Sequence, residues 1–194
     1  VLSADDFALL NPNTRTCPVF RTRRDAELTK EMYRRVPVVR QKGSAGRNPW
    51  GIKLSTMFHM SNDSHLFRTQ SELESGDWLL SGNVFTRDDQ RYLPLYEAKM
   101  IHHFDHRWAT YDGDEVREVT LAEKCNPLFV AQPRYWVDSR HVADASPVFQ
   151  SQLIGWRDIS NSTNERTLIS GIVPRVAVGN QLPLISPALG NHSA

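Results

Sequence analysis

Cysteine is scarce in this chain. The two present, Cys17 and Cys125, form neither a metal-ligand spacing nor a disulfide framework, so a reducing, cytoplasmic compartment is the default expectation. No apolar run approaches the ~18 residues of a membrane span. The first residues, VLSADDFALLNPN, lack the basic n-region of a signal peptide, and no Met begins the chain, so a portion of a longer protein is expected. No glycine-rich nucleotide-binding loop follows a strand pattern, and no Ser/His/Asp or Cys/His set stands out. These gaps argue against a self-contained catalyst.

What the chain does have is ordinary globular bulk and an uneven charge. With 194 residues, 40% of them hydrophobic and 23% charged, one domain with its own core is expected. Net charge is only +1, yet residues 14–53 hold eleven Lys/Arg against three acids, while residues 54–194 hold twelve against seventeen. A basic segment (14–53) ahead of a more acidic region (54–185) points weakly to a polyanionic partner, or to no more than a solvated basic helix.

Thr22-Arg23-Arg24-Asp25 has capping-box spacing, and Ala26, Leu28, Thr29, Met32, Tyr33 and Val36 then recur at helical intervals until Pro37. This predicts a helix over 23–36 whose other face carries Arg23, Arg24, Lys30, Arg34 and Arg35. Phe7 to Leu10 reads as a short strand, Trp50 to Met60 as a strand, and Ser61 to Phe67 as a short helix. Glu72 to Gly82 reads as turn-rich. Strands are expected at Val84-Phe85, Tyr92–Tyr96, Arg117–Leu121, Arg134–Val137, Leu153–Ile159 and Thr167–Val173, with a strand–turn–strand at Val176–Ile185. Ala98 to Arg107 reads as helix, and Ser139 to Pro147 as loop or weak helix. The sum is a mixed α/β (α+β) fold, strand-rich, with a basic N-terminal helix.

The stretch Pro94–Tyr111, PLYEAKMIHHFDHRWATY, is the densest mixture of aromatic, acidic and cationic residues. It suits a surface that packs on one side and meets a polar partner on the other. Glu97-Ala98-Lys99 has the E-x-K spacing of a metal-dependent nuclease, with Asp88 or Asp89 upstream as second Mg²⁺ ligand. His102 and His106 have the i, i+4 spacing of zinc ligands on a helix, but no third ligand is identifiable, and ordinary polar contacts are the favoured reading. Asn11-Pro12-Asn13-Thr14 is close to the adenine-methyltransferase motif [DNS]-P-P-[FYW] but lacks its second proline and its aromatic, which excludes that catalytic role.

Five blocks together resemble one family. LNPNTRTCPVFRTRRDAELTKEMYRRVPV, WGIKLSTMFHMSNDSHLF, PLYEAKMIHHFDHRWATY, PRYWV and GWRDISNSTNERTLISGIVPRVAVGNQLPLI look like consecutive blocks of large adenine-specific DNA methyltransferases. These are the fused restriction–modification and phage-defence enzymes, type ISP and type IIG-like. The blocks span nearly all of residues 7–185; glycine is common in the family where Ala98 stands. The resemblance implies a target-recognition fragment downstream of the catalytic core, with double-stranded DNA as ligand and the methyltransferase core of the parent chain as partner. It implies S-adenosylmethionine as the parent's cofactor, with no cofactor, metal or catalytic residue on this fragment. Arg21, Arg23, Arg24, Arg34 and Arg35 are then the candidates for phosphates. Tyr96, Lys99, His102, His103, Arg107 and Trp108 are candidates for base edges or for wedging the duplex, and Arg157, Asn161, Asn164, Arg166 and Arg175 are loop candidates. The alternatives are the E-x-K nuclease and a scaffold that docks the methyltransferase core.

Overall fold

Helix starts in this chain are specified by one repeated device. A computed structural model describes residues 2–42, 48–146, 151–161 and 163–187. In it, α1 (Ala4–Leu10), α2 (Arg23–Arg35), α3 (Gln70–Ser75) and α4 (Leu121–Cys125) each begin with a complete capping box. Ser3, Thr22, Thr69 and Thr120 accept the amide proton three residues on, and Asp6, Asp25, Glu72 and Glu123 reach back to the cap amide. A fifth helix, α5 (Ser139–Ala145), is capped by the Asp138 carboxylate alone. The strands are β1 (Ile52–Ser55), β2 (Phe67–Arg68), β3 (Leu79–Ser81), β4 (Val84–Arg87), β5 (Gln90–Tyr96), β6 (Ala109–Asp112), β7 (Glu115–Glu118), β8 (Trp136–Asp138), β9 (Gln152–Trp156), β10 (Ser170–Pro174), β11 (Ala177–Val178) and β12 (Leu184–Pro187). The fold is mixed α+β, as expected.

Backbone contacts divide the chain into two compact units, Val1–Ile52 with Pro187–Ala194, and Lys53–Ser186. In the first, α1 packs on α2. Among its described residues only Leu10 and Lys30 are buried. The Lys30 ammonium lies 3.0 Å from Glu27 and 3.5 Å from Asp6, so it is a structural cation joining the two helices. This corrects its assignment to the solvated arginine face. The Asn13 side chain clamps the chain beyond α2, donating to the Arg40 carbonyl at 3.0 Å and accepting from the Lys42 amide at 2.7 Å. Asn11 donates to the Thr16 carbonyl at 2.8 Å. Both asparagines of the Asn11-Pro12-Asn13 turn are therefore occupied by backbone.

In the second unit, one sheet runs β2-β8-β5-β4-β3, with β11 parallel against β5; a second runs β1-β12-β9-β10; β6 and β7 form a separate ribbon. β9 and β10 pair antiparallel and alternate buried and exposed positions, the mark of a sheet packed on one face only. β5 lies inside its sheet and divides its side chains between two cores. Leu95 packs with Phe58, Phe67, Val137 and Ala177, while Tyr96 packs with Met100, Ile101, Tyr111, Leu153 and Val173. A third cluster holds Leu73, Phe85 and Trp136, with the Phe85 and Trp136 rings edge to face at 5.1 Å.

Several local expectations change. Phe7–Leu10 is the end of α1 and not a strand, because the Ser3/Asp6 box starts a helix just before it. The strand expected over 50–60 is only β1; beyond it Phe58 makes an isolated parallel bridge to Gly179 and is buried. Glu72–Gly82 holds α3 and β3. The strand expected at 117–121 ends at Glu118, since Thr120 opens α4. Among the described residues no helix is long and apolar enough to cross a membrane.

Phe85 is fully buried, so Phe85→Ala should cost about 3–5 kcal/mol. Leu128, 86% exposed, should tolerate alanine within about 0.5 kcal/mol. Urea unfolding of both variants checks this.

Candidate nucleic-acid interface

Between β5 and β6 the chain does not form the helix expected over 98–107. A single 3₁₀ turn covers Ala98–Met100, with Met100 and Ile101 fully buried as its anchor. The next residues fold into a tight turn. The His102 amide donates to the Asp105 carbonyl at 2.7 Å and the Asp105 amide returns to the His102 carbonyl at 2.9 Å. The Phe104 amide donates across to the Ser170 carbonyl of β10 at 2.9 Å, so the turn is stitched to the second sheet. A helix would need those amides for its own i−4 carbonyls.

Arg157, just past β9, fixes the base of this loop. Its guanidinium donates to the Ala98 carbonyl at 3.1 Å and to the Ile101 carbonyl at 3.0 and 2.6 Å. Burial pulls its pKa below the ordinary arginine value, yet it remains a cation at neutral pH. By sequence Arg157 is a DNA candidate; in the fold its donors are committed to backbone. The same correction applies to Arg107, which donates to the carbonyls of Lys124 at 3.2 Å and Phe129 at 3.5 Å.

Two aromatic candidates are also structural. Tyr96 is 3% exposed, and burial pushes its hydroxyl up to about 12. Trp108 is half-buried, with the His102 ring at 4.4 Å and the Lys124 ammonium 4.7 Å from its centre. Neither is free to wedge a duplex. The loop's two carboxylates are engaged as well. Glu97 accepts from the Tyr111 hydroxyl at 2.6 Å, and burial and then this bond raise the tyrosine pKa. Asp105 accepts from Lys124 at 2.7 Å and from the Arg107 amide at 2.8 Å; burial raises its pKa, but these bonds outweigh it and hold the carboxyl below the usual value.

The E-x-K nuclease arrangement does not assemble. Asp88 and Asp89 sit at the β4–β5 turn, and all of β5 separates them from Glu97, roughly 25 Å of extended chain. Lys99 lies 3.8 Å from Glu97 and 5.0 Å from the Tyr111 ring centre, an ion pair over an aromatic. The zinc spacing fails too, because His102 and His106 are not on a helix, and no cluster of three metal-ligating side chains occurs among the described residues. Burial lowers the pKa of both histidines, leaving them neutral at pH 7.

What remains presented is a short set. Lys99 is half-exposed, and the His103 ring stands 3.9 Å from Phe104. Asn161, Asn164 and Arg166 lie exposed on the β9–β10 connection, where Asn161 is tied up accepting the Thr163 amide; Arg175 is exposed beyond β10. The residue the sequence did not single out is Phe104. It is 84% exposed and has φ +60°, a left-handed conformation that costs a non-glycine residue roughly 1–2 kcal/mol. With His106, Gln152, Ile172 and Pro174 it borders an open recess of about 540 Å³.

In the first unit, Arg21, Arg23, Arg24, Arg34 and Arg35 are all exposed, and none has an ion-pair partner among the described residues. The helix does not explain them all. Arg34 and Arg35 suit the dipole at the C-terminal turn of α2, but Arg23 and Arg24 oppose it in the first turn. The expected apolar face is also displaced: Leu28, Met32 and Val36 are 51%, 54% and 52% exposed, and the packed positions are Ala26, Thr29 and Lys30.

No family model, curated protein or solved structure matches the chain.

Arg157→Met should leave the Ile101 carbonyl unpaired and the Ala98 carbonyl with only the Ile101 amide at 3.3 Å, and cost on the order of 1–3 kcal/mol. Arg157→Lys, with a single-point donor, should recover only part of it. Denaturant midpoints of the two variants test the assignment.

Proposed function

We propose that the chain is a non-catalytic DNA-binding fragment, the target-recognition part of an adenine-specific restriction–modification DNA methyltransferase acting in the cytoplasm. The observation that carries the DNA reading is the cationic helix α2. Its only lysine is buried in a structural pair, while its four arginines, with Arg21 before it, stand exposed and unpaired among the described residues. Two of them oppose the helix dipole, so helix stability does not account for their presence. Cations held out of internal ion pairs are what phosphate neutralisation requires.

The restriction–modification context rests on the five sequence blocks, and so does the parent's use of S-adenosylmethionine. No residue of this chain is assigned to that cofactor. Methyl transfer belongs, on this reading, to the parent's core, and this fragment positions the duplex. Lys99, His103, Arg166 and Arg175 remain candidates for contact with DNA, whereas Tyr96, Arg107, Trp108 and Arg157 support the loop from behind.

A second reading is favoured by the exposed stripe Leu28, Met32 and Val36, which recurs every four residues and so lies along one side of α2. On it, α2 docks the parent's methyltransferase core and its arginines frame that contact.

The two separate by experiment. Replacing Arg23 and Arg24 together with alanine should weaken binding to duplex DNA. The salt slope, log K against log salt, should fall by about 0.9 for each phosphate no longer neutralised. Affinity and slope equal to wild type, with binding to the separated core abolished, would replace the DNA reading of this helix with docking.

A further inference from the structure

We infer that Phe104 is the side chain this protein inserts between stacked bases when it engages duplex DNA. The inference deepens the DNA-binding reading above and rests on it. A phenylalanine 84% exposed at the apex of a turn has no packing role of its own. Its backbone nevertheless adopts φ +60°, a region a bulky residue avoids unless the surroundings impose it. Here they do. Reciprocal bonds between His102 and Asp105 close the turn, the Phe104 amide is bound by Ser170, and the Ile101 carbonyl at its base is held by Arg157. The result is an apolar ring projected from a rigid support, the geometry of a wedge and not of a loose loop.

The surroundings favour a nucleic acid over an acidic or purely apolar partner. Both carboxylates of the loop are engaged, Glu97 with Tyr111 and Lys99, and Asp105 with Lys124. No free carboxylate of the loop therefore faces a phosphate backbone, while the Lys99 ammonium earlier in the same loop is half-exposed. The His103 ring lies against Phe104 and buttresses it from one side. Ile172 on β10 borders the same recess, giving an unstacked base step an apolar floor. The other aromatics of the stretch are taken: Tyr96 and Tyr111 are buried in the core, and Trp108 packs against His102 and Lys124.

The test uses the whole chain and short random-sequence duplexes in which 2-aminopurine replaces adenine, since its fluorescence rises when a base is unstacked. Wild type should bind at low salt with a clear rise. Phe104→Ala should bind roughly tenfold more weakly, with an unchanged salt slope and no rise, because stacking is removed while the phosphates stay neutralised. Phe104→Trp should keep the rise. Phe104→Gly should abolish it while melting at the same or a higher temperature, since glycine accepts the left-handed backbone without strain. That separates a presented wedge from a structural residue. A rise in Phe104→Ala equal to wild type, or wild-type binding with no rise, would overturn the wedge while leaving the DNA reading intact. Phe104→Ala with DNA binding unchanged but association with the parent's core abolished would overturn it in favour of a protein contact. No wild-type binding at all would overturn the DNA reading, and the wedge with it.

Discussion

A half-buried guanidinium without a carboxylate holds the loop that presents Phe104 in place. Arg157 donates to the carbonyls of Ala98 and Ile101, two acceptors that the broken helix between β5 and β6 leaves without i+4 amides. A cation serves here better than a neutral donor, because charge-assisted bonds are the stronger kind and the fork of N–H groups reaches both acceptors at once. With the loop's base fixed, Met100 and Ile101 can fill the core shared by β5, β9 and β10. The remainder of the loop is then free to point outward, and Phe104 occupies its apex.

Charge is handled differently in the two units. In the first, three of the five acids are internally engaged, Asp6 and Asp25 capping helices and Asp6 and Glu27 holding Lys30, while Asp5 sits in the first turn of α1, where the helix dipole favours an acid. The arginines have no such partners among the described residues. In the second unit, cations mostly face carbonyls, carboxylates or rings: Arg107 and Arg157 bind backbone, Lys124 binds Asp105, Arg117 binds Glu123, Arg134 binds Asp114 and Arg140 binds Asp138. The contrast favours the first unit for the non-specific, phosphate-facing part of the proposed DNA contact. It leaves shape and stacking to the loop of the second.

Legibility followed the strength of the local rule. The Thr22/Asp25 box and the helical pattern up to Pro37 set α2 to within a residue, since a cap, a period and a stop agreed. The same box at Ser3/Asp6, Thr69/Glu72 and Thr120/Glu123 was equally present in the sequence, but each opens a helix too short to show a period, and these segments read as strand or turn. Strands near β9 and β10 were readable at Leu153–Ile159 and in the β-branched, apolar Thr167–Val173, but not their pairing or the exposed face of β10. The stretch 98–107 misled for a different reason: its amides bond to Ser170 and within the turn, long-range choices that no window of ten residues contains. For the site, residue type alone could not tell a presented arginine from one committed to backbone carbonyls. Arg157 and Arg166 look alike in sequence and differ in environment, and the aromatic that ends up exposed is Phe104 and not Tyr96 or Trp108.

The proposed contact with duplex DNA runs through cations that have no ion-pair partner among the described residues. The most direct measurement is the affinity of the whole chain for random-sequence duplex across a salt series, with and without Mg²⁺. Binding should be present at low salt and weaken steeply as salt rises, with a slope of several counterions, no dependence on Mg²⁺ and no cleavage. Absence of binding at low salt, or affinity indifferent to salt, would contradict it.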